Sequence, residues 1–292
     1  MEISFGRCGA ADSMARVFDQ AGVGDVSAVV WSDRCEWTDL VVEVPVEAGR
    51  PTLRLGDNWL RRWSATWRAR AGEVSCAVRD LDGIVISGRP VRRFSWRRDQ
   101  RHRPNLQALV STGRLHGAES LEEARVLLAL DFAGDLVEVA SQPFRLRFEC
   151  EAGRRSHIPD FLAMTRSGWW LIDVRPAALV READLVAFAA AAEAALACGW
   201  RYTVVGGWQE HALAALDAFS SRRRPLSDPL ELRPGLLVAA RDGLTFGELA
   251  AVGGCEPVAR AQLLHLLWGR SLGVDLRRPL TDRSPVRAGA DR

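Results

Sequence analysis

Two aspartates near the middle of the chain, Asp160 and Asp173, stand where carboxylates could do chemistry. Asp160 lies in a short apolar run from Ser156 to Met164. Asp173 lies near the end of a second run, Trp169 to Val174, whose composition is typical of a strand buried on both faces. The residues from Thr165 to Gly168 have turn chemistry, so the two runs are predicted to form a hairpin. Because an unpaired buried charge is strongly disfavoured, Asp173 needs a partner.

Two partners for Asp173 fit the pattern. One is Arg175, which shares a face with Asp173 because side chains on a strand alternate with a period of two, and this pair would be a structural ion pair. The other is a divalent metal ion held jointly by Asp173 and Asp160. The residues themselves leave both alternatives open.

A third acidic position lies on a predicted helix from Glu119 to Asp131. Glu119, Glu123, Leu127 and Leu130 fall on one stripe at helical spacing. Charged residues are rarely buried without a partner, so two acids in line with core positions favour a functional site. The alternative is that they are ordinary first-turn acids, which the helix dipole stabilises.

A strongly basic stretch runs from Val91 to Arg103, between two prolines. The net charge of the chain is only +2, so any nucleic-acid surface must come from local clustering of this kind. Phe94 and Trp96 are available for packing or stacking. A solvated linker between domains is the alternative. The arginines predicted to contact DNA phosphates are Arg92, Arg93, Arg97, Arg98, Arg101 and Arg103.

The overall composition excludes several classes of protein. All 39 basic residues are arginine, which rules out chemistry that needs a lysine amine. The cysteines lack the spacing of a zinc site. No apolar run has membrane-spanning length and no secretory signal is visible, so the protein is predicted to be cytoplasmic.

The order of predicted elements from residue 119 to 219 is helix, three strands, helix, strand, helix. This order predicts an α/β fold with a mixed sheet between helices. A β-rich N-terminal region of unknown role, residues 1–87, precedes it. Strands are expected there at 26–31, 40–46, 74–78 and 83–86, with Asp82-Gly83 as a hairpin turn. Trp59, Trp63 and Trp67 recur every fourth residue and predict one helical face.

Residues 225–292 are predicted to form a separate C-terminal module after a linker at 225–234. Thr245 to Glu248 is a capping box that begins a short helix, and Pro257 stands near the start of a second helix. A strand at 271–276 could be a wing. The order favours a winged-helix-like module, which could bind DNA or protein.

The pattern Pro159-Asp160 followed by Asp173-Val174-Arg175 resembles the PD-(D/E)xK nuclease core, with arginine where that superfamily usually has lysine. Over about residues 88–215 the chain resembles the TnsA-like endonuclease subunit of heteromeric transposases. The segments that carry this resemblance are FSWRRDQRHRP (94–104), TGRLHGAESLEEARVLLALDF (112–132), ASQPF (140–144), RRSHIPDFLA (154–163), IDVRP (172–176) and GWRYTVVG (199–206).

This resemblance implies a restriction-endonuclease-like core in residues 88–224 and a nuclease that nicks double-stranded DNA at transposon ends. It implies a DDE transposase subunit and an ATP-dependent transposition regulator as partners. Carried over by position, Glu123, Asp160 and Asp173 are the catalytic acids. With the carbonyl of Val174 they would hold Mg²⁺, and Arg175 takes the basic catalytic position.

Glu119, Gln142 and His157 are possible accessory residues, and for Gln142 and His157 a satisfied loop hydrogen bond is the favoured alternative. Arg175 stays protonated at any accessible pH, so it can stabilise charge but cannot act as a general base. Two other functions remain open. One is a catalytically silent DNA-binding or assembly subunit, and the other is a stand-alone restriction-like nuclease.

Overall fold

A five-stranded mixed sheet forms the centre of the computed structural model, which describes residues 29–92 and 104–289. Two of its strands, β10 (Gly168–Val174) and β11 (Arg201–Trp208), are parallel to each other, and the other neighbouring strands are antiparallel. A helix, α3 (Glu182–Ala197), connects the parallel pair, as a parallel connection requires. In spatial order the strands are β1 (Val41–Glu43), β11 (Arg201–Trp208), β10 (Gly168–Val174), β9 (Phe161–Thr165) and β6 (Leu136–Ser141).

The two faces of this sheet bury different helices because successive side chains alternate between the faces. Phe161 and Ile172 belong to the hydrophobic cluster that contains α2 (Leu121–Ala133). Leu162 and Leu171, one position along, belong to the cluster that contains α3. The central sheet is therefore covered on both sides.

A second, antiparallel sheet packs on the α3 side. Its inner face contributes Trp67, Leu146 and Phe148 to the same cluster as α3. Its strands, in spatial order, are β3 (Gly72–Ala77), β2 (Ser64–Ala69), β7 (Arg145–Cys150) and β8 (Gly153–His157).

The remaining elements surround these sheets. A short helix, α1 (Trp59–Arg62), precedes β2, and a hairpin is formed by β4 (Asn105–Ala108) and β5 (Leu115–Ala118). The C-terminal elements are α4 (Ala212–Ser220), α5 (Leu232–Ala239), α6 (Phe246–Val252), α7 (Glu256–Trp268), β12 (Leu272–Gly273) and β13 (Arg287–Ala288).

The C-terminal helices share a continuous hydrophobic cluster with α2. The rings of Phe132 and Trp268 lie 5.4 Å apart between centroids. The buried guanidinium of Arg270 donates to the carbonyls of Asp33, Cys35 and Ala133. The C-terminal segment is thus attached to the central fold by packing and by buried hydrogen bonds.

The mixed α/β class is confirmed, but several expected elements are wrong. The three tryptophans do not share a helix, since α1 ends at Arg62 and Trp67 lies on β2, which pairs with both β3 and β7. Residues 83–87 form a 3-10 helix instead of a strand, and the hairpin turn falls at residues 70–71. Cross-strand pairing overrode the local pattern in both places.

Two further differences concern segments expected to be turn or linker. The sequence predicts a turn at 151–155, where residues 153–157 instead form β8, and α5 (Leu232–Ala239) begins within the linker predicted at 225–234. The strand expected at 26–31 lies partly outside the described residues, and Trp31 makes an isolated bridge with Asp275. Within the described ranges, the helices are all too short or too polar to cross a bilayer.

Candidate active site

Asp160 and Asp173 lie where two neighbouring interior strands of the central sheet, β9 and β10, meet at their ends. Phe161 on β9 pairs with Ile172 on β10, so the next position in register sets Asp160 opposite Asp173. The backbone N–H of Asp160 donates to the carbonyl of Ile172 at 3.1 Å. The N–H of Val174 donates to Asp160 Oδ2 at 2.8 Å. Both the backbone and the side chain of Asp160 are therefore fixed to the end of β10.

Asp173 is buried, with 1% of its surface exposed, and both of its oxygens accept hydrogen bonds. His157 Nε2, at the end of β8, lies 2.9 Å from Oδ1 and 3.0 Å from Oδ2. Tyr202 on β11 donates its hydroxyl to Oδ2 at 2.8 Å. Burial and then the charge of Asp173 raise the pKa of Tyr202 well above its ordinary value. The buried carboxylate is satisfied by partners from two sheets.

The structural ion pair considered for Asp173 and Arg175 is not formed. Arg175 instead lies beside α3, with its Nε 3.5 Å from Asp184 Oδ2. That Nε is buried and makes no hydrogen bond with any residue in the described part of the chain. The expectation fails because Asp173 is satisfied by His157 and Tyr202, while the first turn of α3 supplies the acid for Arg175.

Glu123 lies in the first turn of α2 and is buried. Its Oε1 accepts from the hydroxyl of Ser120 at 2.9 Å, and its Oε2 accepts from the N–H of Glu119 at 2.7 Å. Ser120 is the N-cap of the helix, which explains why the chain turns here. Burial raises the pKa of Glu123 above its ordinary value, and these two hydrogen bonds oppose the shift.

The three predicted acids are electrostatic neighbours. Burial, and then the charges of Asp173 and Glu123, raise the pKa of Asp160 well above its ordinary value. The charges of Asp173 and Glu123 thus disfavour ionisation of Asp160. A bound cation would relieve this repulsion.

Gln142 connects the site to the basic stretch. It is buried and has a left-handed φ of 48°. Its N–H donates to the carbonyl of Asp160 at 2.7 Å, and its side-chain oxygen accepts from the N–H of Arg92 at 3.3 Å. Arg92 Nη1 lies 3.9 Å from Glu119 Oε2. The basic stretch therefore begins beside the acids. Its other predicted DNA contacts lie outside the described residues: Arg93, Arg97, Arg98, Arg101 and Arg103.

The donor chemistry of this site fits a divalent cation in charge and atom type. Carboxylate and carbonyl oxygens are the ligands that Mg²⁺ prefers, and the raised pKa of Asp160 marks uncompensated negative charge. Across residues 29–92 and 104–289, however, no three His, Cys, Asp or Glu side chains are grouped so that they could hold a metal ion. Protein donors engage both oxygens of Asp173, both of Glu123 and one of Asp160, so a cation would have to replace some of these hydrogen bonds.

Tyr202 is the site residue that the sequence analysis did not identify. It is the only tyrosine in the chain and lies in a largely apolar strand. A single hydroxyl in such a strand is a usable signal, because a buried tyrosine hydroxyl usually has a hydrogen-bond partner.

Comparison of the chain with protein-family models and with curated proteins gave no match. The function is therefore inferred from the residues and the geometry described above.

Proposed function

We propose that this protein is a Mg²⁺-dependent DNA endonuclease subunit of a heteromeric transposase, which nicks DNA at transposon ends. The class of chemistry follows from the acid cluster, and the transposition context follows from the resemblance to TnsA-like subunits. A DDE transposase and an ATP-dependent regulator would be its partners. The restriction-endonuclease-like core and the winged-helix-like C-terminal module are part of this proposal.

One observation carries the proposal: Asp160 and Asp173 lie opposite each other at a strand edge, with Glu123 within electrostatic range. An acid whose pKa is raised by neighbouring acids is costly, and such arrangements concentrate at functional sites. A purely structural role explains one satisfied carboxylate such as Asp173. It does not explain why Asp160 lies opposite Asp173 and within electrostatic range of Glu123.

Asp160, Asp173 and the carbonyl of Val174 would hold the metal ion, with Glu123 as the further acid. When bound, the ion supplies a nucleophilic water and neutralises charge on the scissile phosphate. His157 and Tyr202 position the Asp173 carboxylate by hydrogen bonds to both of its oxygens.

Arg175 would hold the scissile phosphate. Its Nε is buried beside Asp184, but the side chain is 38% exposed, and the guanidinium carries four further N–H donors for a phosphate oxygen. A guanidinium stays protonated and therefore stabilises charge without accepting a proton.

A nicking assay on transposon-end DNA, with the partner transposase present, tests this function. We expect Mg²⁺-dependent nicking by the unmodified protein and at least a hundredfold slower nicking by Asp173→Asn, since removal of an essential charged group typically costs at least about that factor. Asp217→Asn, an exposed acid on α4, is the matched control. Nicking at full rate by Asp173→Asn would rule the proposal out.

A catalytically silent DNA-binding or assembly subunit is the second candidate. The observation that favours it is the engagement of both Asp173 oxygens by His157 and Tyr202. This candidate predicts that Asp173→Asn changes stability and leaves transposition by the assembled complex intact. A stand-alone nuclease would instead cleave DNA without any partner.

A further inference from the structure

We propose that the outer face of the second sheet binds the phosphate backbone of duplex DNA through a groove of about 480 Å³. This inference rests on the proposed function, because it says where the DNA of that reaction would lie. We call this surface the arginine groove, and the residues that define it are Arg62, Ser64, Arg147, Arg154 and Ser156.

The groove is built by strand register. Ser64 on β2 pairs with Arg147 on β7, and Arg147 pairs with Ser156 on β8, so three adjacent strands set these side chains in one row. Leu146 and Phe148, on either side of Arg147, are buried on the opposite face. The alternation along β7 therefore turns the side chain of Arg147 outward, between the hydroxyl groups of Ser64 and Ser156.

The charges in the groove favour an anion. Glu149 is the one acid that lines it, and Arg62 Nε lies 3.0 Å and Arg154 Nε 3.5 Å from its carboxylate. Arg147 is exposed and makes no ion pair with any residue in the described ranges, and the Arg154 side chain is 89% exposed. Three guanidiniums against one carboxylate leave an excess of positive charge, which complements a polyanion.

Its position favours DNA over a small anion. Asp160 lies four positions after Ser156, so the two lie within about 14 Å of each other, the reach of an extended chain of that length. This span corresponds to about four base pairs of duplex. A row of donors across three strands suits an extended backbone, whereas a single phosphate needs donors that converge on one point. The contacts would be independent of base sequence.

Salt-dependent binding of labelled duplex DNA tests the groove. The measurement uses the full chain in a chelating buffer, without transposase, so that cleavage plays no part. The variant is Arg147→Gln/Arg154→Gln, because Arg147 pairs with no described acid and Glu149 keeps Arg62 as its partner. The control, Arg166→Gln/Arg241→Gln, removes the same charge from two exposed positions, and Arg166 lies at the far end of β9 and β10.

We expect the groove variant to bind two unrelated duplex sequences more weakly. The slope of log K against log salt concentration should fall by about two, roughly one for each lost phosphate contact. The control should keep the slope of the unmodified protein. Near-ultraviolet circular dichroism establishes that both double variants are folded.

Equal slopes for the groove variant and the control would overturn the inference, as would the absence of DNA binding by the unmodified protein. These outcomes are separable from failure of the proposed function. A protein that binds through the groove and never nicks DNA contradicts only the nuclease proposal. A protein that nicks DNA and binds it equally well without Arg147 and Arg154 contradicts only the groove.

Discussion

The hydroxyl of Tyr202 donates a 2.8 Å hydrogen bond to Oδ2 of Asp173. Tyr202 lies on β11, beside β10 in the central sheet, whereas the other donor to this carboxylate, His157, comes from the second sheet. The two sheets are therefore joined at the candidate site through one buried carboxylate. A group placed this way is sensitive to the loss of either donor.

Tyr202→Phe should lower the free energy of unfolding by about 1–3 kcal/mol, because a buried carboxylate loses a hydrogen-bond donor while the ring packing is retained. Urea unfolding of the variant measures the effect. In an Asp173→Asn background, the same substitution should cost less, since the charged acceptor is already absent. An equal cost in both backgrounds would show that Tyr202 acts independently of Asp173.

Asp160→Asn should reveal the raised pKa of Asp160 through the pH dependence of stability. Between the ordinary pKa of the unfolded chain and the raised pKa of the folded state, the folded protein binds more protons. The free energy of unfolding of the unmodified protein therefore falls as pH rises through that window. In chelating buffer, the variant should be the more stable protein at neutral pH, and the difference should shrink in acid.

Urea unfolding at a series of pH values measures this difference. Asp217→Asn on the exposed face of α4 is the control and should show no comparable pH-dependent gain. If the stability difference between Asp160→Asn and the unmodified protein is the same at all pH values, the pKa of Asp160 is not raised in the folded protein.

Arg270→Met should destabilise the protein by about 3 kcal/mol or more, because the buried guanidinium donates to the carbonyls of Asp33, Cys35 and Ala133. Removing it leaves these acceptors without that donor at the junction of α2 and the C-terminal segment. Arg277→Met, at an exposed position nearby, should change stability by less than about 0.5 kcal/mol. Similar urea midpoints for the two variants would contradict this role of Arg270.

The sequence predicted the β9–β10 hairpin at the centre of the fold better than the elements around the second sheet. The apolar runs around Asp160 and Asp173 and the turn between them gave the hairpin, because a buried strand pair has a strong local pattern. The tryptophan spacing predicted a helical face that is not formed, because Trp67 lies on β2, which pairs with strands distant in sequence. Long-range pairing of this kind leaves no local signal.

The candidate site shows the same division. The acids could be predicted from their position in local patterns, and Asp160 and Asp173 do lie side by side. The partners of Asp173 could not, because His157 and Tyr202 approach from strands whose order in space is set by the whole topology. For the same reason the sequence suggested Arg175 as one of two possible partners of Asp173, whereas α3 places Asp184 beside Arg175.

Titration of the protein with Mn²⁺, a paramagnetic substitute for Mg²⁺, tests the central claim most directly when it is followed by electron paramagnetic resonance in the presence of duplex DNA. We expect the unmodified protein to bind Mn²⁺. Asp160→Asn and Asp173→Asn should each bind it at least about tenfold more weakly, with Asp217→Asn unaffected. No binding by the unmodified protein, or equal affinity in all four proteins, would contradict a metal-dependent site at this edge of the sheet.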